Sequence, residues 1–274
     1  MTKRRNSAFS KTFRYLLLST GKGASGTIGL FGKIKPREKK EYQKEIKPVS
    51  ERAPAKGKIS HTPSFSDLEV EKLVSGDYAQ FKQILHEDSK IILIFGRRGS
   101  GKSALGLRIM ENIQAQTERN CYALGIHEKF IPSWIQSIDS IEKAQPESVI
   151  LVDEGAVSFS SRESMRDTNK ELSRLMAIAR HKNLTLVFIT QNTGMIDKNV
   201  LKLADSLMIK EGSLLQLEME RPEMKKFYMK AKEFIDKGED NKMKYFYLID
   251  SDFEGLLSYS LPSFWTTQLS KNKL

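Results

Sequence analysis

Short apolar runs alternate with amphipathic stretches through the middle of this chain. The runs at 90–95, 121–126, 148–152 and 184–190 are rich in β-branched and large aliphatic residues, which is typical of buried strands. The stretches 104–116 and 170–182 instead repeat apolar residues every three or four positions, which predicts helices. Strands that alternate with helices in this way predict an α/β fold, with a mostly parallel sheet covered by helices on both faces.

Weaker local signals predict the elements on either side of this core. Ser66-Asp67 and Asp77 are residues that commonly cap helices, so we expect short helices at 68–74 and 78–86. Apolar residues spaced through 132–141 predict another short helix after Pro132. Further along, the patterns predict a short helix at 196–204, a strand at 206–209, a charged amphipathic helix at 220–237, and a β-hairpin of strands 245–249 and 256–260.

The basic charge of the chain is concentrated at its start. The net charge is +11, but residues 1–60 hold 16 Lys and Arg against 4 acidic residues, and the rest of the chain is close to neutral. We therefore predict a largely disordered basic tail at 1–62 and one domain at 63–274, with a core at 88–212 and a C-terminal helix and hairpin within 213–262. Three roles remain open for the tail: an unspecific solvated segment, an arm that contacts nucleic acid or an anionic membrane, or a targeting segment.

Cysteine, histidine and hydropathy exclude several classes of protein. Cys121 is the single cysteine, so no intrachain disulfide can form, and its apolar neighbours predict a buried structural thiol. The 4 histidines show no metal-ligand spacing with Cys121 or with one another. No window reaches the roughly 20 apolar residues of a membrane-spanning helix. We therefore expect no transmembrane segment and no metal site built from protein ligands alone.

The most informative motif lies between the strand at 90–95 and the helix that follows it. The sequence there fits G-x-x-x-x-G-K-[ST], a loop whose backbone N–H groups surround nucleotide phosphates at a helix N-terminus. We expect the Lys102 ammonium to reach the β and γ phosphates and the Ser103 hydroxyl to ligate Mg²⁺. The residues expected to bind nucleotide are Gly96, Arg97, Arg98, Gly99, Ser100, Gly101, Lys102, Ser103 and Ala104.

Polar residues follow two of the other predicted strands. Asp153 ends the apolar run 148–152, which suits a carboxylate that holds Mg²⁺ next to Ser103. Glu154 follows directly and is the candidate general base for the attacking water. Gln191 ends the run 184–190. If that strand lies between those at 90–95 and 148–152, the Gln191 amide can hold the water and sense the γ-phosphate. The alternative for each is a polar residue that merely ends a strand.

The order of these motifs resembles the FtsK–HerA superfamily of DNA-translocating ATPases. Within it, Ala179-Arg180-His181-Lys182 before a strand that ends Ile189-Thr190-Gln191 is most similar to two branches. One comprises the zonula-occludens-toxin-like ATPases of filamentous-phage assembly, and the other the genome-packaging ATPases of membrane-containing icosahedral viruses. The resemblance covers about residues 88–262.

This resemblance implies a RecA-like P-loop NTPase fold of the additional-strand type. It also implies an ATP hydrolase that uses ATP and Mg²⁺, assembles as a homo-oligomeric and often hexameric ring, and translocates or packages double-stranded DNA. Lys102 and Ser103 match the phosphate loop of the superfamily, Asp153 and Glu154 its second motif, and Gln191 its sensor. The expected location is the cytoplasm, or the virion if the protein is viral. Peripheral membrane contact through the basic tail stays open.

Two other functions remain as alternatives. A P-loop small-molecule kinase would keep the phosphate loop, and the segment 155–168 with Arg162 and Arg166 could serve as its lid. An ATPase for assembly or secretion would move a polypeptide instead of DNA. In a ring, an arginine from the neighbouring subunit is expected to reach the γ-phosphate. Arg180 is the first candidate, ahead of Arg174, Arg162 and Arg166. The alternative is that Arg180 only stabilises the C-terminus of its helix.

Overall fold

The computed structural model describes residues 60–153, 165–191, 198–236, 241–266 and 269. All of them lie in one compact unit of the chain, Lys47–Leu274. The predictions for the tail 1–62 fall almost entirely outside these residues.

A single sheet organises the described part of the chain. Its order is β1-β9-β8-β7-β2-β6-β5-β3-β4. From β7 to β4 neighbouring strands are parallel, whereas β8, β9 and β1 are added antiparallel at one side. The strands are β1 Glu69–Gly76, β2 Ile91–Phe95, β3 Cys121–Leu124, β4 Ile135–Ile138, β5 Val149–Asp153, β6 Thr185–Thr190, β7 Ser206–Ile209, β8 Tyr245–Asp250 and β9 Phe253–Ser258.

Helices cover both faces of the sheet. They are α1 Tyr78–Glu87, α2 Lys102–Gln116, α3 Met165–His181, α4 Lys198–Leu203, α5 Leu214–Met219 and α6 Pro222–Ile235. Residues of α1 and α2 share one apolar cluster with Ile92 and Ile94, while α3 and α6 share the other with Ile91 and Phe95. Because successive strand residues point to opposite faces, the unbroken apolar run of β2 supplies both clusters. The predicted α/β fold is confirmed.

The N-terminal part of the domain contradicts one helix prediction. Residues 69–76 form a strand that pairs antiparallel with β9, and all 8 of its residues are exposed. Asp67 does not cap a helix. Its carboxylate accepts hydrogen bonds from the Leu68 N–H and the Tyr78 hydroxyl. The edge of β9 offers backbone hydrogen-bond partners to residues 69–76, and the local sequence does not indicate that pairing. The predicted helix after Asp77 is confirmed as α1, and the Asp77 carboxylate accepts from Ala79 N–H at 2.8 Å.

A second helix prediction, from Pro132, was also wrong. Residues 135–138 form β4, which pairs parallel with β3 at the edge of the sheet. The spacing of Ile135 and Ile138 fits one face of a helix, but only Ile135 is fully buried in the strand. The Ser137 hydroxyl donates to the carbonyl of Ile126 at 2.7 Å and fixes the strand against the end of β3. Pairing across the sheet therefore decided a conformation that the local pattern left ambiguous.

The C-terminal region follows the prediction with one addition. The predicted hairpin is present as β8 and β9, and the charged helix is present as α6. Ahead of α6 the chain forms α5, which the apolar pattern did not predict. Its start carries a capping box, in which the Ser213 hydroxyl accepts from Gln216 N–H while the Gln216 amide oxygen accepts from Ser213 N–H.

Candidate functional site

The predicted phosphate loop joins β2 to α2 at the C-terminal edge of the parallel strands. Gly101 precedes α2 with φ at 89°, in the left-handed region that glycine adopts without strain. A β-carbon on Gly101 would lie 2.6 Å from the Tyr259 hydroxyl and 3.3 Å from the Met243 carbonyl oxygen. A glycine is therefore required here both for the turn and for the close approach of the C-terminal hairpin. The first turn of α2 points its N–H groups into the loop, as phosphate binding requires.

Lys102 lies inside this loop. Its ammonium donates to the carbonyl oxygens of Gly96 and Arg97, each at 2.9 Å, and the residue is buried. The Ser100 side chain is also buried, and its hydroxyl has no hydrogen-bond partner among the described residues. A cation and a hydroxyl at the centre of a turn of N–H groups form the donor set that a triphosphate chain accepts.

Ser103 and Asp153 are the predicted magnesium ligands. Ser103 is in the first turn of α2, and Asp153 is the last residue of β5, two strands away from β2 in the sheet. A hydroxyl in the first turn of α2 and a carboxylate at the end of β5 are oxygen donors of the kind that Mg²⁺ takes, together with waters and nucleotide phosphates. Among the described residues, no three His, Cys, Asp or Glu side chains gather into a metal site of their own.

Gln191 lies next to the loop because β6 runs between β2 and β5. Thr190 is paired with Phe95 in the register of the two strands. Gln191, the next residue, therefore lies beside Gly96, the first residue of the loop. On the other side of β6, Asp153 is level with Ile189. The strand order on which the sensor prediction depended is therefore present. Gln191 is exposed, and its carbonyl oxygen accepts from the Gln216 amide at 3.3 Å.

Arg180 lies far from the loop of its own chain. Its guanidinium donates to the Asp205 carboxylate at 2.7 Å and to the Leu203 carbonyl at 3.1 Å. Asp205 in turn accepts from the N–H of Ile91, the first residue of β2, whereas the loop follows the last. The length of β2, about 16 Å, therefore separates Arg180 from the loop of its own chain. Arg174, on the same helix, donates to Glu142 at 2.8 Å.

Some predicted residues fall outside the described part of the chain. They are Glu154, Arg162 and the side chain of Arg166. Glu154 follows Asp153 in the chain, and its role as general base stays a prediction.

Lys210, a buried lysine behind the loop, was not among the predicted site residues. It follows β7, and its ammonium donates to the carbonyls of Met243 at 2.6 Å and Tyr245 at 2.5 Å. It also lies 4.6 Å from the centre of the Tyr259 ring, and the Tyr259 hydroxyl donates to the Gly101 carbonyl at 2.9 Å. Burial lowers the pKa of Lys210 to about 7, and the nearby Lys102 acts in the same direction. The one sequence signal was a lysine directly after a short apolar strand.

Glu211, the next residue, fixes the start of the loop. Its carbonyl oxygen accepts from Arg97 N–H at 2.9 Å, and its carboxylate accepts from the Arg97 guanidinium at 2.7 and 3.0 Å. The segment after β7 therefore holds the loop on the side opposite to Gln191.

A phosphate loop between a buried parallel strand and its helix, with a strand-end carboxylate two strands away, is the arrangement of a P-loop ATPase. A family model described as the ATPase family associated with various cellular activities (AAA) matches residues 92–211, less than half of the chain. No curated protein matches the chain.

Several solved structures are similar in fold. The genome packaging NTPase B204 from Sulfolobus turreted icosahedral virus 2, in complex with AMPPCP, is 16% identical, with 63% of this chain and 98% of that chain covered and a TM-score of 0.44. The pCW3 conjugation coupling protein TcpA with ATPgS is 11% identical, with 62% and 60% covered and a TM-score of 0.43. The KaiC-like protein PH0186 from Pyrococcus horikoshii OT3 is 10% identical, with 63% and 91% covered and a TM-score of 0.39. At these values the likeness does not extend to what this chain binds or moves.

Proposed function

We propose that this protein is a Mg²⁺-dependent motor ATPase that moves double-stranded DNA and works as a ring of identical subunits. The observation that carries the proposal is the position of Gln191, between the phosphate loop and Asp153. An amide at this point can contact both the γ-phosphate and the attacking water, so it can report hydrolysis to the rest of the domain. A protein that only bound ATP would not need a polar group there.

The catalytic roles follow from the site. Lys102 and the loop N–H groups bind the phosphates, and Ser103 and Asp153 hold Mg²⁺, which neutralises charge that develops on the γ-phosphate. Glu154, next to Asp153, accepts the proton of the attacking water. The support for Glu154 is its place in the sequence, directly after the magnesium carboxylate.

DNA is proposed as the substrate on two grounds. The first is the sequence resemblance to DNA-translocating ATPases. The second is the charge of the segment 1–60, whose 16 basic residues against 4 acidic ones suit a polyanion.

Within the described ranges, no helix combines the length and apolar character needed to cross a membrane. The motor would act in the cytoplasm or, in a viral setting, at the virion.

In a ring of subunits, Arg180 would act on the nucleotide bound by a neighbouring subunit, a role that it does not have within its own chain. Because it lies at the opposite edge of the sheet from its own loop, it can act on a phosphate only in a neighbouring subunit. Its ion pair with Asp205, in which the Arg180 side chain is 49% exposed, also fits the purely structural alternative. Mixing R180A with K102A protein separates the two. Activity should partly return if each variant contributes an intact half to a shared site, and a mixture of exchanging subunits as inactive as its components contradicts the role in trans.

The central experiment measures ATP turnover with and without double-stranded DNA, together with the mass of the assembly. We expect DNA to stimulate turnover and the mass to correspond to a closed ring, with K102A as the inactive control. Removal of residues 1–58 should weaken DNA association in a salt-dependent manner and leave basal turnover unchanged. Turnover that no form of DNA affects, in a ring of confirmed mass, would exclude the DNA motor. Phosphate transfer from ATP to a small molecule would favour the kinase.

A further inference from the structure

Two glycines of the phosphate loop lie against the same residue, Lys210. A β-carbon on Gly96, at the start of the loop, would lie 2.7 Å from the Lys210 β-carbon. A β-carbon on Gly101, at the end of the loop, would lie 3.7 Å from the Lys210 ε-carbon. The side chain of Lys210 therefore runs beneath the loop, from its first glycine to its last.

The main chain around Lys210 fixes the start of the loop. The Lys210 N–H donates to the carbonyl of Phe95 at 2.8 Å, and the Arg97 N–H donates to the carbonyl of Glu211 at 2.9 Å. These bonds continue the parallel pairing of β2 and β7 beyond the ends of both strands. The loop therefore leaves the sheet from a fixed position.

Tyr259 contacts the other end of the loop. Its hydroxyl donates to the Gly101 carbonyl at 2.9 Å, and the same carbonyl accepts from the Leu105 N–H at 3.0 Å. The bond from Leu105 is the first main-chain hydrogen bond of α2, because Gly101 is the residue that caps this helix. The first N–H groups of α2 point at the phosphates, so their direction depends on how Gly101 is held.

The ammonium of Lys210 connects Tyr259 to the start of the C-terminal hairpin. It lies 4.6 Å from the centre of the Tyr259 ring and donates to the carbonyls of Met243 and Tyr245. The Tyr259 N–H donates to the carbonyl of Lys244 at 3.1 Å, between those two residues. The segment 243–245 and the residue after β9 therefore meet the loop through one cation and one hydroxyl.

The charge on Lys210 costs stability that a structural filler would not cost. Burial of an ammonium whose hydrogen bonds go to neutral carbonyls is unfavourable, whereas a methionine would fill a similar volume without that cost. Burial lowers the pKa of Lys210 to about 7, and the nearby Lys102 acts in the same direction. The two ammonium groups are thus close enough to repel each other, and phosphates bound in the loop would offset that repulsion.

We propose that Lys210 and Tyr259, here called the loop support, are positioning residues for ATP hydrolysis. They hold Gly101 so that the N–H groups of the first turn of α2 and the Ser103 hydroxyl keep the orientation that the transition state needs. Because both also contact the segment 243–245, nucleotide in the loop stiffens the start of the hairpin. The inference rests on the ATP hydrolysis proposed above for the same loop, and it adds residues outside the phosphate-loop motif.

The first test removes only the Tyr259 hydroxyl, in the full chain. Y259F should lower kcat about five- to tenfold, as the loss of one hydrogen bond does, and change KM by less than about threefold, because Lys102 still binds the phosphates. The matched control is Y247F in the same hairpin, whose hydroxyl donates to Glu254 at 2.9 Å and whose ring packs in the other apolar cluster. It should leave kcat and KM within about twofold of the wild type, and Y259F with kcat in that same range would overturn the proposal.

A second variant tests whether the two residues act together. K210M keeps the apolar stem of Lys210 and removes its ammonium, so it should also lower kcat. Combined with Y259F, it should cost less than the product of the two single effects, because both residues hold Gly101. Effects that multiply would show independent action and contradict the shared role. If K210M does not fold, Y259F and the exchange measurement below decide.

Hydrogen exchange measures the link to the hairpin without turnover. A non-hydrolysable ATP analogue with Mg²⁺ should slow exchange in peptides that span 241–246 in the wild type and in Y247F, but not in Y259F. Exchange that the analogue leaves unchanged in the wild type, or slows equally in Y259F, would overturn the link. DNA-stimulated turnover tests the motor separately: its absence contradicts the motor, while the exchange comparison still decides whether the loop support acts.

Discussion

Replacing Glu111 by alanine should destabilise the domain more than most single substitutions. The Glu111 side chain is fully buried on α2, where its carboxylate accepts from Arg108 at 2.9 Å, from Ser64 N–H at 3.2 Å and from Ser263 N–H at 3.0 Å. The Ser263 hydroxyl is a further donor. One carboxylate therefore fastens segments from both ends of the domain to the helix that begins in the phosphate loop.

The expected loss follows from what E111A leaves behind. Removal of one partner of a buried ion pair typically costs about 3–5 kcal/mol, because the other charge stays buried without compensation. Arg108 keeps the carbonyl oxygens of Ser64 and Ser260, each at 3.1 Å, so we expect the lower end, about 3 kcal/mol. This is a large part of the roughly 5–15 kcal/mol by which a domain is stable.

Urea unfolding followed by tryptophan fluorescence measures this loss. Trp134 packs edge-to-face on Phe264 with ring centres 5.6 Å apart, so its emission reports the contact next to Ser263. The control is E118A, because Glu118 is exposed just beyond the same helix and should change stability by less than about 0.5 kcal/mol. A loss in E111A below about 1 kcal/mol, with an unchanged urea dependence, would refute the reasoning about the buried pair.

Three further predictions concern the site. E154Q should bind ATP with near-normal affinity but hydrolyse it on the order of 100-fold more slowly, and wild-type turnover in single-turnover assays would remove Glu154 from the mechanism. K102A should lose ATP binding or hydrolysis, and retained activity would contradict the loop assignment. The pKa of Lys210 falls from 10.5 to about 7 on folding, so between those pH values the folded chain binds fewer protons than the unfolded chain. The wild type should therefore gain stability over K210M as pH rises, by up to about 1.4 kcal/mol per pH unit, whereas urea midpoints that move in parallel would contradict this.

Local sequence information was sufficient for the centre of the fold. β2, β5 and β6 were predicted from short runs rich in β-branched and large aliphatic residues, and α2 from its helical spacing of apolar residues. The loop residues from Gly96 to Ser103 were found in the same way, since the motif encodes a local turn and its helix. Asp153 and Gln191 were predicted to follow neighbouring strands, and parallel pairing brings those strand ends to one edge of the sheet, while their roles stay predictions.

Edge elements were less predictable, since their conformation depends on a partner strand. Helices were predicted at 68–74 and within 132–141 from caps and spacing. Residues 69–76 and 135–138 instead form strands, because β9 and β3 offer backbone partners. A weak amphipathic pattern fits either conformation, so the free energy of pairing decides between them.

The surroundings of the loop come from residues that are distant in sequence. Tyr259 reaches the carbonyl of Gly101 across 158 positions, and Lys210 reaches that of Tyr245 across 35. The sequence by itself determined that a phosphate loop is present and which strand ends accompany it, because those patterns are local. Only the tertiary structure decided that the C-terminal hairpin packs behind the loop and that the ammonium of Lys210 lies against that hairpin. Strand order brings such residues together, and strand order is set by the packing of the whole sheet.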